Sequence, residues 1–172
     1  MTDKGYSRRG PCPGVAPPRW IVDEMLGRLA RYLRFVGCDT LYLRGATDDE
    51  ILARARTEGR VVLTRDRELA RRAPAALRIE SPYLRFQWAA VRAAWPDLPA
   101  ELRFERCTVC NGTLAPYEVG TDPEREAGLP RERVAGGLDV WACAACGHLY
   151  WEGSHTARIR AQLAAWSREA TP

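Results

Sequence analysis

The sequence predicts an α/β fold with a parallel sheet, followed by a smaller module of a different kind and a terminal helix. Over residues 19–100, short apolar runs alternate with amphipathic segments. Such alternation is typical of parallel strands whose connecting helices cover both faces of the sheet. Over residues 101–172, two Cys-x-x-Cys pairs replace this alternation. Residues 1–18 are rich in Gly and Pro, and we expect them to be a disordered tail.

The α/β domain is predicted to open with a strand, a helix and a second strand. Trp20–Asp23 is a short apolar run that ends in a carboxylate. Glu24–Val36 has apolar residues at helical spacing, and Gly37 stands where helices commonly end. The apolar positions are Leu26, Leu29, Leu33 and Val36. Thr40–Leu43 has the composition of the second strand.

A capping box predicts the next helix. Thr47 and Glu50 have its spacing, and the helix should run to about Glu58, with Gly59 as its end. The remaining elements are a strand over Val61–Thr64, a short helix after Asp66, a strand over Leu77–Ile79 and a helix over Tyr83–Trp95.

The two cysteine pairs indicate a zinc module. Four thiolates, Cys107, Cys110, Cys143 and Cys146, can fold back onto one tetrahedral Zn²⁺. Asn111-Gly112 and Gly147 follow the pairs at positions where a positive φ is often needed. The gap between the pairs leaves room for a charged loop over Asp122–Gly137, and a terminal helix is expected over Ser154–Arg168.

Acidic residues at strand ends predict a second metal centre. Asp23 and Asp66 each follow a buried-type strand, and the carboxyl ends of parallel strands share one crevice. Asp48, Asp49 and Glu50 open the second helix and can approach the same end. Converging carboxylates favour Mg²⁺ or Mn²⁺, which can activate water for phosphodiester hydrolysis. The alternative is that these residues only cap helices.

A basic stripe indicates contact with a nucleic-acid backbone. Arg28, Arg31 and Arg34 recur at a spacing of three residues, and Arg65 flanks Asp66. The alternative is a solvated helix face. The net charge is +4, and the positive balance lies in residues 19–100, whereas residues 101–172 have an excess of acidic side chains.

The segment Tyr150–His155 precedes the terminal helix. His155 beside a helix N-terminus can hold a phosphate, and Tyr150 or Trp151 can stack on a base. The alternative is that the segment only packs and that Ser154 caps the helix.

Several classes of protein are excluded by composition. No apolar run is long enough to span a membrane, and residues 1–18 lack the apolar core of a secretory signal. We therefore expect a cytoplasmic protein; the oligomeric state is left open. Cys12 lies in the tail, and Cys38 is expected to be a small buried residue.

Five motifs, in this order, resemble the Mut-seven C-terminal RNase-like family, a group of PIN-like nucleases with an appended zinc ribbon. They lie in Ile21–Arg34, Leu63–Asp66, Cys107–Asn111, Cys143–Gly147 and Tyr150–His155. The resemblance covers about residues 19–160. It implies a three-layer PIN-like α/β/α domain over 19–100, a zinc ribbon with terminal helix over 101–172, and a metal-dependent ribonuclease activity.

The resemblance also implies roles for individual residues. Asp23 matches the acid after the first strand, and Asp66 matches the acid of a Thr-x-Asp motif in which Thr64 orients it. Asp48 or Asp49 lies where the family has an acid that opens the second helix. Glu80 is the only candidate for a fourth acid.

The sequence is compatible with three functions. The first is an RNA endonuclease with catalytic Mg²⁺ or Mn²⁺ and structural Zn²⁺. The second is a non-catalytic module that binds RNA or the ribosome, for which the arginines and the zinc ribbon suffice. The third is an adaptor whose ribbon docks a protein partner, which fits the acidic balance of residues 101–172.

Overall fold

The computed structural model of the chain describes residues 18–169. The predicted tail, apart from Pro18, and Cys12 lie outside these residues. The chain divides into two compact units, one with residues 18–33 and 38–99 and the other with residues 34–37 and 100–169. The short segment 34–37 groups with the second unit, which the sequence did not suggest.

The elements of the α/β part alternate as the sequence predicts. They are β1 (Trp20–Val22), α1 (Gly27–Phe35), β2 (Thr40–Tyr42), α2 (Asp48–Glu58), β3 (Val61–Thr64), α3 (Arg67–Arg72), β4 (Ala76–Arg78) and α4 (Leu84–Ala94). The helix expected from Glu24 begins as a 3-10 turn over Glu24–Leu26. The cause is local, because the Asp23 carboxylate accepts the Met25 amide and tightens the first turn.

The four strands form one parallel sheet in the order β2-β1-β3-β4. Side chains that alternate along β1 reach opposite faces. Ile21 packs with apolar residues of α2 and α3, whereas Trp20 is fully buried on the other face, where it meets the edge of Trp95 at 5.6 Å between ring centroids. Helices therefore cover both faces, and the predicted α/β fold is confirmed.

The capping box at α2 is present as predicted. The Thr47 hydroxyl accepts the Glu50 amide, and the Glu50 carboxylate accepts the Thr47 amide at 2.7 Å. Gly59 ends the helix in the left-handed conformation, with φ of 63°. These contacts fix where α2 starts and stops, while burial of Ile51, Leu52 and Ala55 against the sheet holds it in place.

The second unit contains a three-stranded antiparallel sheet in the order β5-β6-β7. Its elements are β5 (Leu114–Pro116), α5 (Arg131–Ala135), β6 (Val140–Cys143), β7 (Leu149–Trp151) and α6 (Ser154–Glu169). The segment expected to be a loop, Asp122–Gly137, holds a 3-10 turn over Arg125–Gly128 as well as α5. The Glu126 carboxylate organises its start by accepting the backbone amides of residues 120–122.

The terminal helix is present, but Ser154 does not cap it as the sequence suggested. Instead Thr156, in the first turn of the helix, binds the residue that precedes the helix: its hydroxyl accepts the Gly153 amide and donates to the Gly153 carbonyl, both at 2.7 Å. Within residues 18–169, none of the helices combines the length and the apolar character that a membrane span requires.

Candidate acidic and cysteine centres

The strand order places a topological switch point at one edge of the parallel sheet. The chain leaves β1 toward β2 on one side and leaves β3 toward β4 on the other, while β1 and β3 are neighbours. In open α/β sheets, ligands bind outside the carboxyl ends of two such strands. The structure thus brings the residues after Val22 and after Leu63 to the position where this fold class commonly binds its ligands.

Asp23 is held at this position by backbone and side-chain donors. It is only 7% exposed. Its Oδ1 accepts the Met25 amide at 2.9 Å, and its Oδ2 accepts the Thr64 hydroxyl and the Arg65 amide, the latter at 3.2 Å. The carboxylate therefore bridges the ends of β1 and β3, and it also caps the turn that follows.

Asp66 is linked to Asp23 through Thr64. The fully buried Thr64 hydroxyl donates to Asp23 and accepts the Asp66 amide at 2.8 Å. Oδ1 of Asp66 caps α3 by accepting the Glu68 and Leu69 amides, at 2.6 and 2.8 Å. Oδ2 makes no hydrogen bond with any described residue, and the Asp66 side chain is exposed. One oxygen of Asp66 is thus structural, and the other faces solvent.

Asp48 and Asp49 lie near Arg72, and neither makes a hydrogen bond with Asp23 or Asp66 in the described part of the chain. Both are in the exposed first turn of α2, where Asp49 pairs with Arg72 and the Asp48 carboxylate lies 4.0 Å from the same guanidinium. Glu80, the candidate fourth acid, pairs with Arg78.

The predicted basic stripe is shorter than the spacing suggested. Arg28 and Arg31 are exposed on α1, but Arg34 is 3% exposed. Its guanidinium donates to the carbonyls of Thr108 and Val109, both at 3.1 Å, so it cannot present its charge to a polyanion. The prediction that Arg34 contacts a nucleic-acid backbone is therefore wrong. Its guanidinium can be buried because backbone carbonyl oxygens accept its hydrogen bonds.

The four cysteines converge as the pattern predicted. Their sulfur atoms all lie within 4.8 Å of one another. Cys107 and Cys146 are 3.6 Å apart, and Cys110 and Cys143 are 3.4 Å apart. A ZnS₄ tetrahedron with bonds of about 2.3 Å has edges of about 3.8 Å. The thiols are therefore placed to hold a metal such as zinc.

Comparison with known proteins identifies the family of the chain. Residues 18–163 match the family model described as Mut7-C RNAse domain. The chain belongs to this family. The match includes Asp23, Thr64 and Asp66 as well as the cysteines. No curated protein and no solved structure matches the chain.

In this Mut7-C RNAse domain, Tyr150 supports the cysteine centre, a role that its sequence position did not reveal. Its hydroxyl lies 3.1 Å from the Cys107 sulfur and accepts the Thr108 amide at 3.0 Å. Burial raises the pKa of the Cys107 thiol, but hydrogen bonds from Tyr150 and from backbone amides outweigh this effect and lower the pKa to about 6. Burial raises the pKa of Cys110 to about 12. The Tyr150 hydroxyl thus contacts both the Cys107 sulfur and the backbone beside it.

Two backbone features close the cysteine knuckles. Asn111 and Gly147 have φ of 70° and 75°, as the sequence predicted for these positions. Gly112 lacks the positive φ predicted for the Asn111-Gly112 pair. A glycine is needed there because a Cβ would lie 2.9 Å from the Cys143 sulfur. His155 is exposed, and its ring centroid lies 6.5 Å from that of Phe35.

Proposed function

We propose that this member of the Mut7-C RNAse domain family hydrolyses RNA phosphodiester bonds in a metal-dependent reaction at the crevice between β1 and β3. The observation that carries the proposal is the joining of Asp23 and Asp66 through the Thr64 hydroxyl at the carboxyl ends of adjacent parallel strands. Family membership supports a nuclease-like function.

The oxygen donors of this centre suit a hard divalent cation. Asp66 offers Oδ2, and Asp23 Oδ1 accepts a single hydrogen bond from the described residues and so retains a lone pair. Mg²⁺ and Mn²⁺ are often held by one or two carboxylates, with waters in the remaining positions. When bound, such an ion supplies Lewis-acid polarisation of the phosphate and lowers the pKa of a coordinated water. Asp48 and Asp49 are left out of the centre because they pair with Arg72.

The remaining residues would position the substrate and the carboxylates. Thr64 and the Arg65 amide fix the orientation of Asp23, which sets where a cation and the scissile phosphate can meet. Arg28 and Arg31 are exposed on α1, which begins soon after Asp23, and their charge favours binding of the phosphate backbone. His155 is exposed in the second unit, and its imidazole would contact an RNA phosphate.

A second candidate function is RNA binding without catalysis. It is favoured by the capping role of both acids, since Asp23 and Asp66 each accept backbone amides of the turn that follows them. On this account the carboxylates are structural and the arginines bind RNA. Removal of divalent metal would then leave RNA binding unchanged and no cleavage would occur.

Cleavage of a mixed RNA pool tests the proposal. Zinc-loaded wild-type protein is compared with Asp23→Asn and Asp66→Asn, each with and without Mn²⁺. Asp97→Asn is a matched control, because Asp97 is exposed in the same unit and the described contacts give it no partner. We expect metal-dependent products from the wild type and the control only.

Two results would contradict the proposal. Absence of products from the wild type would move RNA binding without catalysis to first place. Equal cleavage by the wild type and both acid variants would show that the products come from a contaminant or from another centre.

A further inference from the structure

Exposed apolar side chains concentrate at the edge of the sheet that carries the acids. In residues 18–169, the large hydrophobic side chains that are exposed are Met25 at 58%, Tyr83 at 67%, Phe86 at 47% and Val109 at 62%. Val109 lies in the cysteine module. The others follow the carboxyl ends of β1 and β4, and parallel strands end at the same edge.

Tyr83, Arg85 and Phe86 form what we call the aromatic patch. The rings of Tyr83 and Phe86 meet edge to face, with centroids 6.4 Å apart. The Arg85 guanidinium lies 4.4 Å from the centroid of Phe86. The three side chains therefore present two rings and one planar cation to solvent.

The helix does not need the aromatic patch for its packing. The buried face of α4 consists of Leu84, Gln87, Trp88 and Val91, which recur at helical spacing. Arg85 and Phe86 lie off this face, and Tyr83 precedes the helix as an N-cap that makes no side-chain capping hydrogen bond. Adjacent exposed apolar side chains that the fold does not use for packing commonly mark a binding site.

The charge around the aromatic patch suits a polyanion. Arg85 makes no ion pair with any described residue, and the same holds for Arg28 and Arg67, which begin helices at this edge. Unpaired bases of nucleic acids stack on aromatic rings and on guanidinium planes, while basic side chains bind the phosphates. A protein partner would not require this combination of stacking surface and unpaired positive charge.

We propose that the aromatic patch is a subsite that stacks an unpaired nucleobase of RNA and so places the strand relative to Asp23 and Asp66. This inference rests on the proposed function for the identity of the ligand, and it adds how the substrate is selected. Because stacking tolerates any base, the subsite selects unpaired over paired RNA and has little preference for sequence.

Binding of two fluorescent RNAs to the zinc-loaded full chain tests the inference. The probes are a ten-residue oligoadenosine and an oligonucleotide of the same length with abasic sites at its centre, measured by anisotropy without added divalent metal. The double variant Tyr83→Leu with Phe86→Leu keeps the apolar volume and removes the rings. Tyr83→Phe with Phe86→Tyr keeps the rings, and Val109→Ala removes an exposed apolar side chain elsewhere.

We expect the leucine variant to bind oligoadenosine at least about fivefold more weakly, since one stacked base contributes about 1 kcal/mol or more. Binding of the abasic RNA should be unchanged, and the ring-preserving and Val109 variants should resemble the wild type. A circular dichroism melt checks that the variants fold.

Several outcomes would overturn the inference. The first is that the leucine variant and the wild type bind oligoadenosine with equal affinity. The second is that the leucine variant loses affinity equally for oligoadenosine and for the abasic RNA. The third is that the wild type binds neither RNA. A change in oligomeric state with RNA affinity retained would instead assign the aromatic patch to contact between copies of the chain. Loss of base-dependent binding tests the subsite, whereas absence of cleavage with that binding intact would contradict only the proposed hydrolysis.

Discussion

At the scale of single residues, the acidic centre depends on a hydroxyl that two acids share. Thr64 is fully buried, donates to Asp23 and accepts the Asp66 amide. The sequence predicted correctly that Asp23 and Asp66 each follow a strand, because an apolar run followed by a carboxylate is visible in a single chain. It could not assign Arg34 or Tyr150, since their hydrogen-bond partners are distant in sequence and leave no local signal.

Thr64→Val should weaken both the fold and the activity. Valine can neither donate to Asp23 nor accept the Asp66 amide, and an unpaired buried polar group costs about 1–3 kcal/mol. We expect faster hydrogen exchange of the β3 amides and slower Mn²⁺-dependent cleavage. Thr64→Ser retains the hydroxyl and should keep most of the amide protection and most of the cleavage rate. Full activity in the valine variant would contradict the role of the Thr64 hydroxyl in positioning Asp23.

Gly112→Ala should weaken zinc retention. The added Cβ would lie 2.9 Å from the Cys143 sulfur and 3.0 Å from the Ala145 Cβ, so a ligand must shift. Gly128→Ala is the matched control, because, apart from its chain neighbours and the backbone of its own turn, no residue in 18–169 has an atom within 4 Å of a Cβ at that position. The rate of zinc transfer to a coloured chelator measures zinc retention. Equal transfer rates in the two variants would contradict the close approach between position 112 and the Cys143 sulfur.

At the scale of elements, the strands and helices of residues 19–100 follow local patterns closely, because capping and apolar spacing act within one element. The Thr47 capping box and Gly59 predicted both ends of α2. The segment Asp122–Gly137 was harder to predict, since Glu126 orders it by accepting the amides of residues 120–122, and high charge obscures any apolar period.

An ion-pair cluster ties the end of α2 to the start of β3. Arg60 is 5% exposed, and its guanidinium donates to Glu58 and Asp39, both at 2.7 Å. Arg54 donates to the other oxygen of Glu58 at 2.8 Å. Hydrogen bonds from Arg54 and then Arg60 lower the pKa of the Glu58 carboxyl below its ordinary value. Glu58 therefore adds stability that depends on pH.

Because the pKa of Glu58 is lower in the folded state, its contribution is complete above the unfolded value and is lost as the pH falls through the folded value. Glu58→Gln should therefore be less stable than the wild type at neutral pH. The difference in the free energy of unfolding between the two proteins should become smaller as the pH falls below about 5. Hydrogen-exchange protection of the β1 and β3 amides, corrected for intrinsic exchange, measures this difference at each pH. Asp97→Asn should show no such trend, and a pH-independent gap in Glu58→Gln would contradict the account.

At the scale of the whole molecule, the sequence predicted two bodies but not the strand order. The order β2-β1-β3-β4 depends on packing between segments far apart in the chain, yet it decides that Asp23 and Asp66 meet. Asp48 and Asp49 were expected at the same crevice because they open a helix. The structure directs them to Arg72, and no periodicity in the sequence predicts that pairing.

Zinc removal should unfold the cysteine unit and spare the parallel sheet. Structural zinc sites couple metal binding to folding, and the four thiols supply every ligand from the second unit. The first unit has its own core, including Ile21, Val62 and Leu69. In a verified zinc-free sample, we expect loss of hydrogen-exchange protection in β6 and retention in β3. Unchanged protection of β6 would contradict a structural zinc.

The central claim is that Asp66 and Asp23 hold the divalent cation that RNA cleavage requires. The most direct measurement is the single-turnover cleavage rate of an unpaired RNA as a function of Mn²⁺ concentration, for the wild type and Asp66→Asn. We expect a saturable dependence on Mn²⁺ in the wild type and a rate lower by at least about a hundredfold in the variant, a loss typical of removing a key charge-stabilising group. A cleavage rate that is the same in both proteins, or that does not depend on Mn²⁺, would contradict the claim.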